Sequence, residues 1–130
     1  MSGEEVGRLR DAPYLSLETF RRSGTGVATP VWCAPQGDAF YVFSAGDAGK
    51  VKRLRIGDRA RLAVCDVRGR LLGPWHEGRA ELLNTPADIE AALGALRAKY
   101  GWQMHLADLG ARLTGRYSRR AYIRIVLTGS

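Results

Sequence analysis

Six stretches of this chain alternate apolar and polar residues, and none is longer than eight residues. Leu15–Arg21, Val27–Ala34, residues 39–44, Ala60–Asp66, residues 76–83 and Ala121–Leu127 each read as a strand. Ser23–Gly26, Pro35–Asp38 and Arg68–Arg70 supply turn residues between them. Short strands joined in this way pair antiparallel, and their turns suggest a small barrel. Pro30 interrupts the second stretch. It has no N–H to give a ladder, so that strand belongs at an edge or carries a bulge. An interrupted ladder also leaves backbone groups free for a ligand.

Helices are expected at three further places. Residues 4–12 form a short lead-in that ends before Pro13. Thr85 caps a second helix, Pro86 fits its first position, and Asp88 stands where a capping-box acid belongs. Ile89, Leu93, Leu96 and Tyr100 line one face, and Gly101 ends it. Trp102, Leu106, Leu109 and Leu113 recur at helical spacing up to Gly115. The expected class is therefore mainly β (α+β): a six-stranded antiparallel barrel with short peripheral helices. Its 130 residues make one domain, with 1–13 as the lead-in.

Several function classes are excluded by what the sequence lacks. No run of about 18 apolar residues could cross a membrane. The start, Met1–Glu5, is acidic and has no apolar signal region, so a cytoplasmic protein is expected. Cys33 and Cys65 form no Cys-x-x-Cys motif and no cluster with histidine, so no metal is expected and both read as buried free thiols. No Gly-x-Ser-x-Gly motif occurs, and no carboxylate pair is placed for hydrolysis. The net charge of +7 would attract an anion. Nucleic acid is not the expected one, because Phe40, Tyr41 and Phe43 lie in a strand the fold would bury rather than interleaving with exposed arginines.

The functional signal lies in Tyr41–Gly57, a strand, a glycine-bearing turn and a short basic helix. Phe40 and Val42 face one side of the strand, Tyr41 and Phe43 the other. Asp47 is the expected N-cap and Gly57 the stop. Val51 and Leu54 point to the core, leaving Lys50, Lys52, Arg53 and Arg55 largely wet. Ser44 beside a helix start, with Lys50 in its first turn, suits a phosphate oxygen.

Three segments then carry a resemblance: Tyr14–Trp32, Gly49–Arg55 and Arg68–Ala80. In that order they resemble the split-barrel flavin-binding superfamily of pyridoxamine 5′-phosphate oxidases and deazaflavin-dependent reductases. They are most similar to its small actinobacterial branch of coenzyme F-420-dependent enzymes. The resemblance implies an FMN-binding type of split barrel, and a homodimer with two cofactor sites at the subunit interface. It places the cofactor ring along Val27–Val31, with Thr29, Pro30 and Val31 at its edge. It places the phosphate near Ser44, Ala45, Gly49 and Lys50. Lys52 and Arg53 would reach the phosphate or the acidic tail of the deazaflavin, and Trp75 and His76 would close the ring pocket from the second chain. Relatives have an aromatic residue at the position of Cys33 and a small hydroxyl residue near Ala45, so one phosphate hydrogen bond is expected to be absent here.

The implied activity is hydride transfer from coenzyme F-420 to a small conjugated or planar substrate. The alternatives are an FMN-binding oxidase-like protein and a non-enzymatic flavin or tetrapyrrole binder. In hydride transfer the cofactor carries the hard chemistry, which fits the absence of a catalytic motif. No catalytic residue is identified.

Overall fold

A computed structural model describes residues 3–128; positions 1, 2, 129 and 130 lie outside it. Helix α1 (Gly3–Asp11) leads into strands β1 (Leu15–Phe20), β2 (Gly26–Val31), β3 (Cys33–Gln36) and β4 (Ala39–Ala45). Helix α2 (Gly49–Leu54) precedes β5 (Arg59–Val64) and β6 (His76–Leu82). Helices α3 (Pro86–Tyr100) and α4 (Trp102–Leu113) then lead to the last strand, β7 (Arg120–Leu127).

The seven strands form one antiparallel sheet in the order β2-β1-β5-β6-β7-β4-β3. Its two edges are β2 and β3, which are consecutive in the chain and separated by Trp32 alone. One residue spans only about 3.5 Å, so the sheet must curl until its edges nearly meet. The result is a split barrel. The expected count of six strands is corrected to seven, because the single stretch Val27–Ala34 divides at Trp32 into two edge strands. Pro30 and Pro35 both sit in those edges, where a missing N–H is tolerated.

The barrel interior collects Leu15, Leu17, Val31, Phe40, Val42, Leu62, Ile123 and Ile125, with Leu9 of α1 and Leu54 of α2 packed against them. Alternation along β4 sends Tyr41 to the opposite face, where it joins Ala92, Leu93, Leu96, Tyr100 and Met104. Thr85 caps α3 as expected, accepting from the Asp88 N–H at 3.2 Å. Gly101 closes that helix at φ 55°, a value that favours glycine. The Tyr100 hydroxyl accepts from Cys33 N at 2.8 Å and donates to Pro13 O at 2.9 Å, while Lys99 Nζ donates to Ala12 O and Cys33 O. The bonds to Cys33 satisfy backbone groups of the edge strand β3, and the other two tie α3 to the segment between α1 and β1.

Helix α4 forms where its spacing predicts, but only Met104 and Asp108 on it are buried. Trp102, Leu106, Leu109 and Leu113 remain 55–78% exposed. Both cysteines are buried and free. No helix among the described residues is long and apolar enough to cross a membrane.

Candidate functional site

The site is built where α2 meets the open end of the barrel. Val51 and Leu54 are buried, which fixes the helix against β1 and β6. That seating turns two cations inward. Lys50 Nζ donates to Ser44 Oγ at 3.4 Å. Arg53 Nε donates to Thr19 Oγ1 at 2.6 Å, and its guanidinium lies beside Gly49, where an added Cβ would come within 2.8 Å of Nη1. The expectation that all four cations are wet is therefore corrected. Lys52 and Arg55 are exposed, whereas Lys50 and Arg53 are half-buried.

Burial, and then the charge of Arg53, lowers the Lys50 ammonium below its ordinary pKa. Burial, and then the charge of Arg21, lowers that of Arg53. Among the described residues neither has a carboxylate within ion-pair distance. Two half-buried cations that face hydroxyls and lack an acid are costly unless an anion joins them. The helix start itself contributes less than expected. Helix α2 has six residues, its N-cap is Ala48, and no side chain caps it, so Asp47 does not serve in that role. Ala45 is exposed at the end of β4 and offers no hydroxyl.

The ring strand begins beside this cluster. Thr19 pairs with Val27, so the hydroxyl that holds Arg53 adjoins the first residue of the Val27–Val31 stretch. Val31 lies four residues further along, about 13 Å at strand rise. Val27 is half-buried, Pro30 is exposed and Val31 is buried. Thr29 carries a buried hydroxyl with no hydrogen-bond partner among the described residues. An orphaned donor on an edge strand fits a ligand laid along that strand.

Trp75 and His76 are not brought to the cluster within one chain. The Trp75 ring lies under the Arg61 guanidinium at 4.7 Å, and Arg61 pairs with Glu18 across β1 and β5. His76 lines a cavity of about 520 Å³ at the foot of α1, together with Val64, Leu72 and Pro74. Glu77 pairs with Arg59 at 2.7 Å. Thr19 and Arg21 were missed in the sequence. Thr19 is separated from Arg53 by 34 positions, and only the strand order brings them together.

No family model and no curated protein matches the sequence. The fold does match solved structures. A candidate 5-nitroimidazole antibiotic resistance protein from Bacteroides thetaiotaomicron superposes with TM-score 0.73 at 11% identity, over 98% of this chain and 80% of that one. A haem storage protein from Vibrio cholerae gives TM-score 0.70 at 9% identity, over 98% and 91%. An F420 reductase gives TM-score 0.62 at 18% identity, over 99% and 96%. The chain thus has the split-barrel fold of these proteins, and the resemblance read from the sequence holds at the level of the fold.

Proposed function

We propose that the chain is a cytoplasmic, homodimeric oxidoreductase that binds coenzyme F-420 and passes a hydride to a small conjugated or planar substrate. The observation that carries this reading is the unpaired Lys50–Arg53 cluster at the head of the Val27–Val31 strand. It offers a phosphate two cations and two hydroxyls, and it offers a ring an edge strand leading away. The F420 reductase among the structures of the same fold supports the deazaflavin as the occupant.

When bound, the deazaflavin supplies the hydride. Lys50, with Ser44 and Gly49 near it, holds the phosphate, and Arg53 braces it from the Thr19 side. Lys52 stands outside, toward an acidic tail. Thr29 supplies its free hydroxyl and Pro30 a flat apolar contact to the ring edge. Trp75 and His76 of a second copy shut out water. The exposed row Trp102, Leu106, Leu109 and Leu113 supports a second copy, since contiguous apolar surface of this kind is seldom left in water.

A second reading is a non-enzymatic binder of a flavin or tetrapyrrole, favoured by the haem storage protein of the same fold. Fluorescence titration of the protein with oxidised coenzyme F-420 and, separately, with FMN tests the choice. Tighter binding of the deazaflavin supports the proposal. Preference for FMN moves the chain toward the oxidase-like alternative, and binding of neither leaves the tetrapyrrole reading.

A further inference from the structure

The cavity of about 520 Å³ at the foot of α1 lies between that helix and the loop joining β5 to β6. Its volume falls in the range of small-molecule sites, roughly 300–1,000 Å³. Ala12, Val64, Leu72 and Pro74 give it apolar walls. The loop that makes one wall is held in place. Leu72 N donates to Val64 O at 2.8 Å, and Asp66 Oδ1 accepts from the N–H groups of Arg68 and Arg70 at 3.0 and 2.9 Å.

The charge of this cavity is opposite to that of the Lys50–Arg53 cluster. Glu4, Glu5 and Asp11 line it, and Arg8 is the one arginine or lysine among its described lining residues. Glu4 and Glu5 stand in the first turn of α1, where the helix dipole favours an acid. Asp11 ends the same helix, where the dipole disfavours one, so the helix does not account for it. Glu4 and Asp11 have no cation within ion-pair distance among the described residues. In a chain of net charge +7, apolar walls with three carboxylates against one guanidinium suit a cation.

The cavity adjoins the proposed cofactor site in two ways. His76 lines it, and His76 is also the residue set against the ring in the proposed function. The loop that walls it reaches the ring strand: a Cβ added at Gly69 would lie 3.4 Å from Pro30 Cδ.

We infer that this cavity receives the hydride acceptor, and that the acceptor is a flat apolar molecule carrying a conjugated cationic nitrogen. The inference rests on the proposed function and goes beyond it by giving the charge and class of the substrate. The hydride, with its electron pair, bonds to the carbon of a C=N⁺ group as the π pair moves to nitrogen. The acceptor is reduced to a neutral amine, the deazaflavin is oxidised, and the remaining N–H proton of the deazaflavin passes to solvent. One end of the site then selects an anion and the other a cation, which keeps the two ligands from exchanging places.

Two titrations of the full chain separate this inference from the reading beneath it. Fluorescence titration with oxidised coenzyme F-420 tests the cofactor alone. Calorimetric titration of the chain saturated with that cofactor then compares N-methylacridinium with anthracene-9-carboxylate, a flat cation and a flat anion of similar size. The cation should bind saturably and about tenfold or more tightly than the anion. Gly7→Leu should weaken the cation about tenfold, because Gly7 lines the cavity and an added Cβ there meets nothing within 4 Å. Glu4→Gln with Asp11→Asn removes two exposed charges and should narrow the preference to about threefold or less. Equal binding of the two probes, preference for the anion, binding of neither, or cation binding that Gly7→Leu leaves unchanged overturns the inference while the cofactor reading stands. Failure of coenzyme F-420 to bind overturns the cofactor reading, and the substrate role of the cavity falls with it.

Discussion

The arginines on the walls of the barrel and the cations at its open end share one charge and differ in their partners. Along the walls Arg59, Arg61 and Arg124 each reach a carboxylate on a neighbouring strand, and Arg79 reaches Asp58 just ahead of β5. Arg97 and Arg120 share the buried Asp108. At the open end Lys50 and Arg53 meet only hydroxyls. The wall pairs knit strands and helices together, and they neutralise themselves. The end cluster ties α2 to β1 and β4 through hydroxyls, but it does not neutralise itself. A net charge of +7 therefore says little about function until each cation is asked what it faces. Lys99, also without an ion pair, is spent on the carbonyls of Ala12 and Cys33, whereas Lys50 and Arg53 have hydroxyls alone, and there an anion fits.

The comparison breaks most severely at Asp108. Arg120→Met should destabilise the fold by about 3 kcal/mol, because it leaves a buried carboxylate with Arg97 as its one cation; the urea midpoint measures this. A midpoint close to wild type would mean that Arg120 resembles the end cluster more than the walls.

The next effect depends on pH. Burial pushes the Cys33 thiol up to about 12 from an ordinary value of 9.0. A folded-state pKa above the unfolded one gives stability that is complete below pH 9 and lost as pH rises toward 12. Cys33→Ala should flatten the decline in stability across that window, as thermal unfolding at a series of alkaline pH values would record.

Thr19→Val sharpens the contrast from the other side. It removes the acceptor for Arg53 Nε and should cost coenzyme F-420 about 1 kcal/mol of affinity, read by fluorescence titration. The smallest effect belongs to the exposed wall pairs. Arg79→Ala should change the unfolding free energy by less than about 1 kcal/mol, and a larger loss in a denaturant series would show that exposed pairs hold the barrel.

Much of this was legible in the sequence, and the parts that were not have a common cause. Alternation placed Phe40 and Val42 against Tyr41 and Phe43 correctly, because strand period is local. Pro30 announced an edge for the same reason. Thr85, Pro86 and Asp88 marked the start of α3 within four positions. The break at Trp32 was hidden, because the apolar run continues through it and only the closure of the sheet requires one edge to end and the other to begin there. The fate of Lys50 and Arg53 was also hidden. Helical spacing separates a wet face from a dry one, but it does not reveal that the wet face looks into the end of a barrel. The row on α4 misled in the opposite direction: Trp102, Leu106, Leu109 and Leu113 share a face as predicted, yet that face stays mostly exposed.

The most direct test of the central claim is to measure, on Lys50→Ala, both the affinity for oxidised coenzyme F-420 and the unfolding midpoint. An ammonium whose pKa burial depresses costs the folded chain something while it is charged. Its removal should therefore leave the midpoint unchanged or slightly raised, while affinity falls by about 1–3 kcal/mol. An unchanged affinity, or a midpoint that falls along with the affinity, would make Lys50 part of the scaffold like the wall arginines and would contradict the account.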